Sequence, residues 1–564
     1  MKRVLVINIA RMGDLIHSTP LMQGLREQGY EVTLLYSDGF KSIAPLLAGP
    51  HHLIPIRLAE IVIPLTTPHG QIGVSYRELS DLVAQLREPR FDLAVNITHT
   101  RYSAGLTRLI NARDTLGMTL DNRGSRQIKG AWASYYFNSI LNRNFNRFNL
   151  VDLHRLTGGV PKCYPVKLTL PAVTAPPVTA DSQLSTLNSQ LLIGLVPGAS
   201  TPEKRWPVES FTDAITIVSK HRPIQPVILG APGEKLLTDR LAELLPEAVN
   251  LGGKTDVPTL ADVISKLDLL VTNDTGPMHI AAAVGTKVVD VTLGSAMAVE
   301  SAPYGTGHFV IEPRISCFSC LPKLRCSHLS CHRLISPSIV ASVIETALNG
   351  DAPLNTELAE CSTVKIYRTA FDNDGLLTLE PLNRVPETLA DVVSIALRVL
   401  WKWALNENQT PVQTAETEIE QIRTKMTPQP LSASPAIEDL KLEFRWLEAI
   451  ATKGKETAQR ISILGSDARK VAEVKTLGRT LSEIDEQVAQ LAYSRPELMP
   501  LVAQFTYAKQ SIDSTDLTEL ATQTAKVYND LLVWSLLLPK WIDRLSGELN
   551  ESPTPASQLS TLNS

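Results

Sequence analysis

Four short segments hold the residue types that group-transfer chemistry needs. The first is Arg11-Met-Gly-Asp14, directly after the run Arg3–Ile9. A carboxylate where a strand gives way to a helix can serve as a general base toward an attacking hydroxyl. It can equally be an N-cap that satisfies free backbone N–H groups. The segment has one glycine, not the G-x-G-x-x-G of a dinucleotide fingerprint, so hydride transfer is not indicated.

The second segment, Val196–Pro207 (VPGASTPEKRWP), places Ser200 and Lys204 in a loop between a strand and a helix start at Pro207. A hydroxyl and an ammonium there suit a diphosphate, although Lys204 taken alone reads as a surface lysine. In the third, Leu229–Glu234 (LGAPGE), Glu234 is placed to accept ribose hydroxyls or to complement a helix dipole. The fourth, Val271–Gly285 (VTNDTGPMHIAAAVG), runs from a strand into a helix at about Pro277. Thr275 and Gly276 would present N–H groups at a helix N-terminus, which favours an anion, and Pro277 fits a first helical turn. His279 lies in that turn, and Asp274 is placed to orient sugar hydroxyls.

A cysteine cluster, Cys317-x2-Cys320-x5-Cys326-x4-Cys331, stands apart from these segments. Four thiolates at such spacing could close a structural zinc or iron site. Free or redox-active thiols and disulfides are the competing readings.

The elements that must position these groups follow from the apolar pattern. Residues 1–350 alternate strand-like runs with helical stretches, which predicts parallel sheets covered by helices. Strands are expected at Phe91–Ile97, Leu191–Val196, Pro226–Leu229, Leu269–Thr272 and Lys287–Val291. Helices are expected at Val208–Lys220, Glu234–Leu245 and Leu260–Lys266. The chain therefore reads as an N-terminal lobe over 1–170, a linker over 171–190 and a second lobe over 191–350. Both lobes are doubly wound, and ligands of such sheets bind outside the carboxyl ends of the strands.

Beyond residue 350 the style changes. A hairpin connector around Asp374-Gly375 is expected within 351–385. Helical spacing then governs an extension over 386–550, with five of the seven Trp placed as core or as an exposed stripe, and a tail follows over 551–564. The octapeptide SQLSTLNS occurs twice, at 182–189 and 557–564, and reads as an insertion with no packed role.

Charge and composition narrow the function. The 564 residues carry a net charge of −4, which disfavours a general nucleic-acid binder. The longest apolar runs fall well short of the roughly 20 residues that cross a bilayer, so a cytoplasmic protein is expected. Between 101 and 150 eight basic residues face two acidic ones. Arg101, Arg123 and Arg126, with Arg11, are candidates to attract an anionic acceptor or membrane surface; solvated loops are the plainer reading.

The segments RMGDLIHSTPLMQGLRE, VPGASTPEKRWPVESF, LGAPGEK and NDTGPMHIAAAVGTKVV occur in the order found in glycosyltransferase family 9, the heptosyltransferases of bacterial lipopolysaccharide assembly. The chain resembles that family over about residues 1–350. The resemblance implies a GT-B fold, an ADP-heptose-like donor in the second lobe and a lipid-linked acceptor in the first. It also implies inversion at the anomeric carbon with no metal or other cofactor needed for catalysis. On it Asp14 matches the catalytic base, Lys204 the diphosphate lysine, Ser200 a neighbouring hydroxyl and Glu234 the acidic residue near the nucleoside. Asp274, Thr275, Gly276 and His279 match the donor loop. Ala199 lacks a hydroxyl that some members carry, which leaves the donor open. Another nucleotide sugar, a protein acceptor, or a non-catalytic scaffold of envelope glycan assembly are the alternatives; contact with the inner membrane would be peripheral.

Overall fold

Strands buried on both faces read as near-continuous apolar runs, and the first such run, Val4–Ile7, is fully buried. The structure, a computed structural model, describes residues 1–66, 71–88, 90–170, 190–321, 325–350, 353–406, 411–426 and 435–547. It divides into two units, Met1–Arg126 with Phe148–Val385, and Gln127–Arg147 with Pro386–Ser564.

The first unit holds two sheets. The strands β1 (Lys2–Ile7), β2 (Tyr30–Ser37), β3 (His52–Ile56), β4 (Leu93–Asn96) and β5 (Asp114–Leu120) are parallel in the order β3-β2-β1-β4-β5. Strand β6 (Arg126–Lys129) begins where the chain passes into the second unit. The second sheet comprises β7 (Leu191–Val196), β8 (Ile224–Ile228), β9 (Val249–Asn250), β10 (Leu269–Asn273), β11 (Val288–Val291), β12 (Phe309–Pro313), β13 (Val364–Phe371) and β14 (Leu377–Pro381). Its order is β14-β13-β12-β11-β10-β7-β8-β9. The register is parallel from β9 to β12 and antiparallel for β12-β13-β14. Each sheet reverses strand order once near its middle, between β1 and β4 and between β7 and β10. Such reversals open the crevices that bind ligands.

Two groupings differ from the sequence expectation. The segment 351–385 is more than a connector: β13 pairs with β12 and extends the second sheet. Its hairpin turns at Gly375, whose φ of +67° suits glycine. Nor do residues 1–170 form one lobe, because 127–147 group with the helical extension. The physical reason lies in the helix Ala131–Leu141, where Trp132, Ala133, Tyr135, Tyr136 and Phe137 are all buried. A helix apolar on most sides must be enclosed, and here the enclosure is helical.

The second unit adds helices Leu389–Ala404, Val412–Lys425, Pro435–Leu464, Val471–Ser494, Met499–Gln510 and Leu517–Ser546. Trp401 meets Trp534 edge to face with centroids 5.1 Å apart, and Tyr135 lies 5.8 Å from Trp401. Asn138 donates to the Pro500 carbonyl at 2.8 Å, and Trp132 Nε1 donates to Asn406 at 3.1 Å. Four of the five Trp in the extension are core; Trp446 is 40% exposed. Among the described residues no helix is long and apolar enough to cross a membrane. Apart from Gln190, the linker over 171–190 lies outside the described residues, as do both SQLSTLNS copies and the tail over 551–564.

Candidate active site

The second sheet's crevice is built at the ends of β7 and β10. Asn273, the last residue of β10, is fully buried. Its Nδ2 faces the carbonyls of Val196, Pro197 and Gly198 at 3.1–3.4 Å, and its Oδ1 accepts the Trp206 N–H at 2.9 Å. One side chain thus ties both ends of the Val196–Pro207 loop to β10. Trp206 anchors the loop's far end by donating Nε1–H to the Ile335 carbonyl at 3.0 Å and packing edge-on against Phe211. Sequence reasoning passed over Asn273; the signal was an amide directly preceding Asp274 at a strand end.

Loop anchoring brings Lys204 to Asp274, Nζ to Oδ2 at 2.6 Å, with both side chains largely buried. Burial alone would raise the Asp274 carboxyl, but the Lys204 ammonium more than offsets it and holds it below the ordinary carboxylate value. Behind this pair, burial and then the Asp274 charge push Asp290 well above that value, which favours its protonated form. Thr292 donates to Asp290 at 2.6 Å. Lys204 spends one of its three N–H donors on Asp274.

Glu234 turns inward, accepting the Ala231 N–H at 2.9 Å. A Cβ added at Gly198 would come within 2.1 Å of its carboxylate, so the glycine leaves the space that the carboxylate fills. Ser200 is exposed at the loop's crest, and Thr275 and Gly276 are half-buried at the start of the helix Gly276–Val284. Thr275 makes no side-chain cap there, which leaves the first N–H groups of that helix for a ligand.

The first sheet supplies the opposite wall. After β1 the helix Met12–His17 starts with Asp14 Oδ2 accepting the Arg11 N–H at 3.1 Å. Asn8 Nδ2 donates to the Asp14 carbonyl at 2.8 Å. Asp14 is therefore partly a capping residue, and its half-buried carboxylate keeps a second oxygen. This helix meets the helix Gly276–Val284 at close range. A Cβ at Gly13 would lie 2.8 Å from the His279 ring, and one at Gly276 would lie 2.2 Å from Met12 Cε. His17 Nε2 and His279 Nδ1 are 3.0 Å apart and buried. Both Asp14 and Asp274 act electrostatically on His17, so the two carboxylates flank the same junction. The structure thus joins Asp14, Lys204, Asp274, Thr275, Gly276 and His279 around one crevice.

Arg11, Arg101, Arg123 and Arg126 are exposed, with Arg101 opening the helix Arg101–Ile110 after β4 and Arg123 in the turn after β5. Arg143 and Arg147 belong to the second unit, where Arg147 pairs with Asp391 at 2.9 Å.

The cysteine loop lies behind Lys204. His332 Nε2 sits 3.0 Å from the Glu203 carbonyl, and Cys320 N–H donates to Gly294 at 2.9 Å. All four thiols are free. Among the described residues no group of three or more His, Cys, Asp or Glu is arranged to hold an ion. The expected four-thiolate site at Cys317, Cys320, Cys326 and Cys331 is thus not formed there. Burial, reinforced by neighbouring cysteines, raises the thiols of Cys320 and Cys331 and favours the protonated form. Cys326 Sγ is engaged instead by the Leu329 N–H at 3.4 Å.

Two doubly wound lobes with a nucleotide-type crevice opposed by a carboxylate define the GT-B class of glycosyltransferases. Residues 79–324 match the family model described as glycosyltransferase family 9 (heptosyltransferase). Over that stretch the chain is similar to glycosyltransferase family 9, and the protein is a glycosyltransferase. The lipopolysaccharide core heptosyltransferase OpsX of Haemophilus influenzae is 26% identical over 294 residues, covering 51% of this chain and 78% of the relative. Lipooligosaccharide heptosyltransferase 2 of Campylobacter jejuni is 31% identical over 170 residues, 29% of this chain and 51% of that protein. The solved family 9 glycosyl transferase of Veillonella parvula is 19% identical, with a TM-score of 0.46 over 62% of this chain and 97% of its own.

Proposed function

We propose that this enzyme moves a heptose from an ADP-heptose-like donor to a hydroxyl of a lipopolysaccharide-type glycan, with inversion and without a catalytic metal. The observation that carries this reading is the direct meeting of the Asp14 helix with the donor-loop helix, through Gly13 against His279 and Met12 against Gly276. A sugar held on the second wall would present its anomeric carbon to the carboxylate of the first.

In this reading Asp14 takes the proton of the acceptor hydroxyl as it attacks, and the nucleoside diphosphate leaves from the opposite face. Charge builds on the departing diphosphate in an oxocarbenium-like transition state. Lys204 and the N–H groups at Thr275 and Gly276 stabilise it in a site poor in water, where such donors act most strongly. Asp274 holds the ammonium in place, Ser200 adds a hydroxyl at the diphosphate, and Glu234 offers its remaining acceptor capacity to the ribose. The exposed Arg11, Arg101, Arg123 and Arg126 attract an anionic, lipid-linked acceptor at the membrane's cytoplasmic face, where the enzyme acts as a peripheral protein.

Turnover of ADP-heptose in the presence of a heptose-deficient lipopolysaccharide acceptor, with the linkage read by mass spectrometry, tests the reading. Product of inverted anomeric configuration is expected. Turnover only with a different nucleotide sugar would contradict the donor assignment, and turnover only on a protein would contradict the acceptor.

A further inference from the structure

The contact between His17 and His279 asks for a role of its own. We infer that His17 is a positioning residue that fixes the tautomer of His279, so that His279 presents an Nε2–H donor to the donor diphosphate. The inference rests on the reading of His279 as a donor-loop residue and adds to it a residue from the other lobe.

Both rings are buried, and burial, the leading cause of the lowered basicity of each, favours the neutral imidazole. A neutral imidazole carries one N–H and one lone pair. Across the 3.0 Å gap between His17 Nε2 and His279 Nδ1, one ring donates and the other accepts. The other nitrogen of His17 decides which. His17 Nδ1 is buried with no hydrogen-bond partner among the described residues. If it carried the proton, the protein would bury an orphaned N–H, which is rarer than an under-satisfied acceptor. The proton therefore belongs on His17 Nε2, which donates to His279 Nδ1. His279 must then carry its own proton on Nε2.

That nitrogen is on the side that matters. The Cδ2–Nε2 edge of His279 is the part of the ring lying against Gly13, next to Asp14. A side chain at Gly13 would collide with it. Lys204 and Asp274 both act electrostatically on His279, which places the ring in the neighbourhood of the proposed diphosphate site. His17 itself is braced from behind, its ring 6.2 Å from that of His154. The inter-lobe pair thus sets which nitrogen is a donor, as the partner of one imidazole nitrogen commonly does for the other.

Losing a donor aimed at developing charge costs about 10²–10³-fold in rate, and an unfixed tautomer loses part of that. For His17→Leu we expect kcat with ADP-heptose to fall on the order of 10–100-fold while the donor KM stays within about threefold. His17→Gln, whose amide N–H can reach the place of Nε2, should recover most of the loss. Long-range 15N–13C correlation spectra of the histidine-labelled wild-type protein should show His279 as the Nε2–H tautomer. In His17→Leu a mixture should appear. A wild-type His279 protonated on Nδ1, or a His17→Leu enzyme with unchanged kcat and tautomer, overturns the inference. The wild-type spectrum decides even if the leucine variant does not fold. An inactive wild type with the Nε2–H tautomer would instead count against the proposed reaction, leaving the tautomer assignment in place.

Discussion

The two units of this chain differ in where histidine and cysteine lie. All eleven His and all six Cys fall within the α/β unit, and the segments forming the helical unit contain none. The α/β unit encloses His17, Asn273, Asp274, His279 and Asp290 at the ends of its strands. The helical unit encloses Trp401, Tyr528, Trp534 and Trp541 together with buried polar groups such as Asn138, Asn142 and Lys402, the last against Glu418 at 2.7 Å. Buried polar groups carry a penalty unless each finds a partner, so a fold keeps them where chemistry requires them. The comparison places every histidine and cysteine, and the candidate site residues with them, in the α/β unit.

The largest effect expected from breaking that division is at Asp14. Asp14→Ala should lower turnover on the order of 10²–10⁴-fold while nucleotide affinity by calorimetry is retained. Next in size is Trp541→Ala in the helical unit. Trp541 is fully buried, and its loss should lower that unit's unfolding free energy by about 3–5 kcal/mol. Nucleotide affinity below the transition should not change. Urea titration followed by fluorescence and by calorimetry separates the two quantities.

Acid should discriminate between the units without any mutation. Burial pushes His99 and His279 down to about 3, and lowers His17 and His154 as well. Between the ordinary value near 6.5 and those folded values, the unfolded chain binds protons that the folded α/β unit does not. The stability of that unit is thus intact above about pH 6.5 and is lost as pH falls below it. The slope for each such histidine is about 1.4 kcal/mol per pH unit. Melting curves at pH 7.5 and 5.5 should show the α/β transition moving down while the helical transition, which has no histidine to protonate, moves less. The smallest effect is expected at Gly454→Ala. A Cβ there would come within 2.2 Å of the Tyr528 ring, and overpacking of this kind costs about 1–3 kcal/mol, again confined to the helical unit.

Legibility in the sequence followed the same division. Parallel strands are apolar throughout, so β7, β10 and β11 could be read to within a residue or two, and the Asp374-Gly375 turn marked its hairpin. The loops that follow those strands carried the site residues, because ligands gather at carboxyl ends of parallel strands. Partnerships across sequence distance could not be read. Nothing near Trp132 shows that its helix leaves the first lobe for a helical core, since an apolar helix says that it is buried and not by what. The helix Val412–Lys425 escaped notice because its apolar residues are sparse. His17 and Asn273 were overlooked because their roles are defined by partners 262 residues away in one case, and by three consecutive carbonyls in the other. The cysteine spacing left a metal site, free thiols and disulfides open.

The central claim is that a carboxylate of the first lobe and the phosphate-binding elements of the second act on the same sugar. A crystal structure of the Asp14→Asn enzyme with intact ADP-heptose tests it most directly. The account predicts the diphosphate on Lys204 and the N-terminus of the helix Gly276–Val284, with the anomeric carbon turned toward residue 14. A diphosphate bound elsewhere, or a sugar directed away from residue 14, would contradict it.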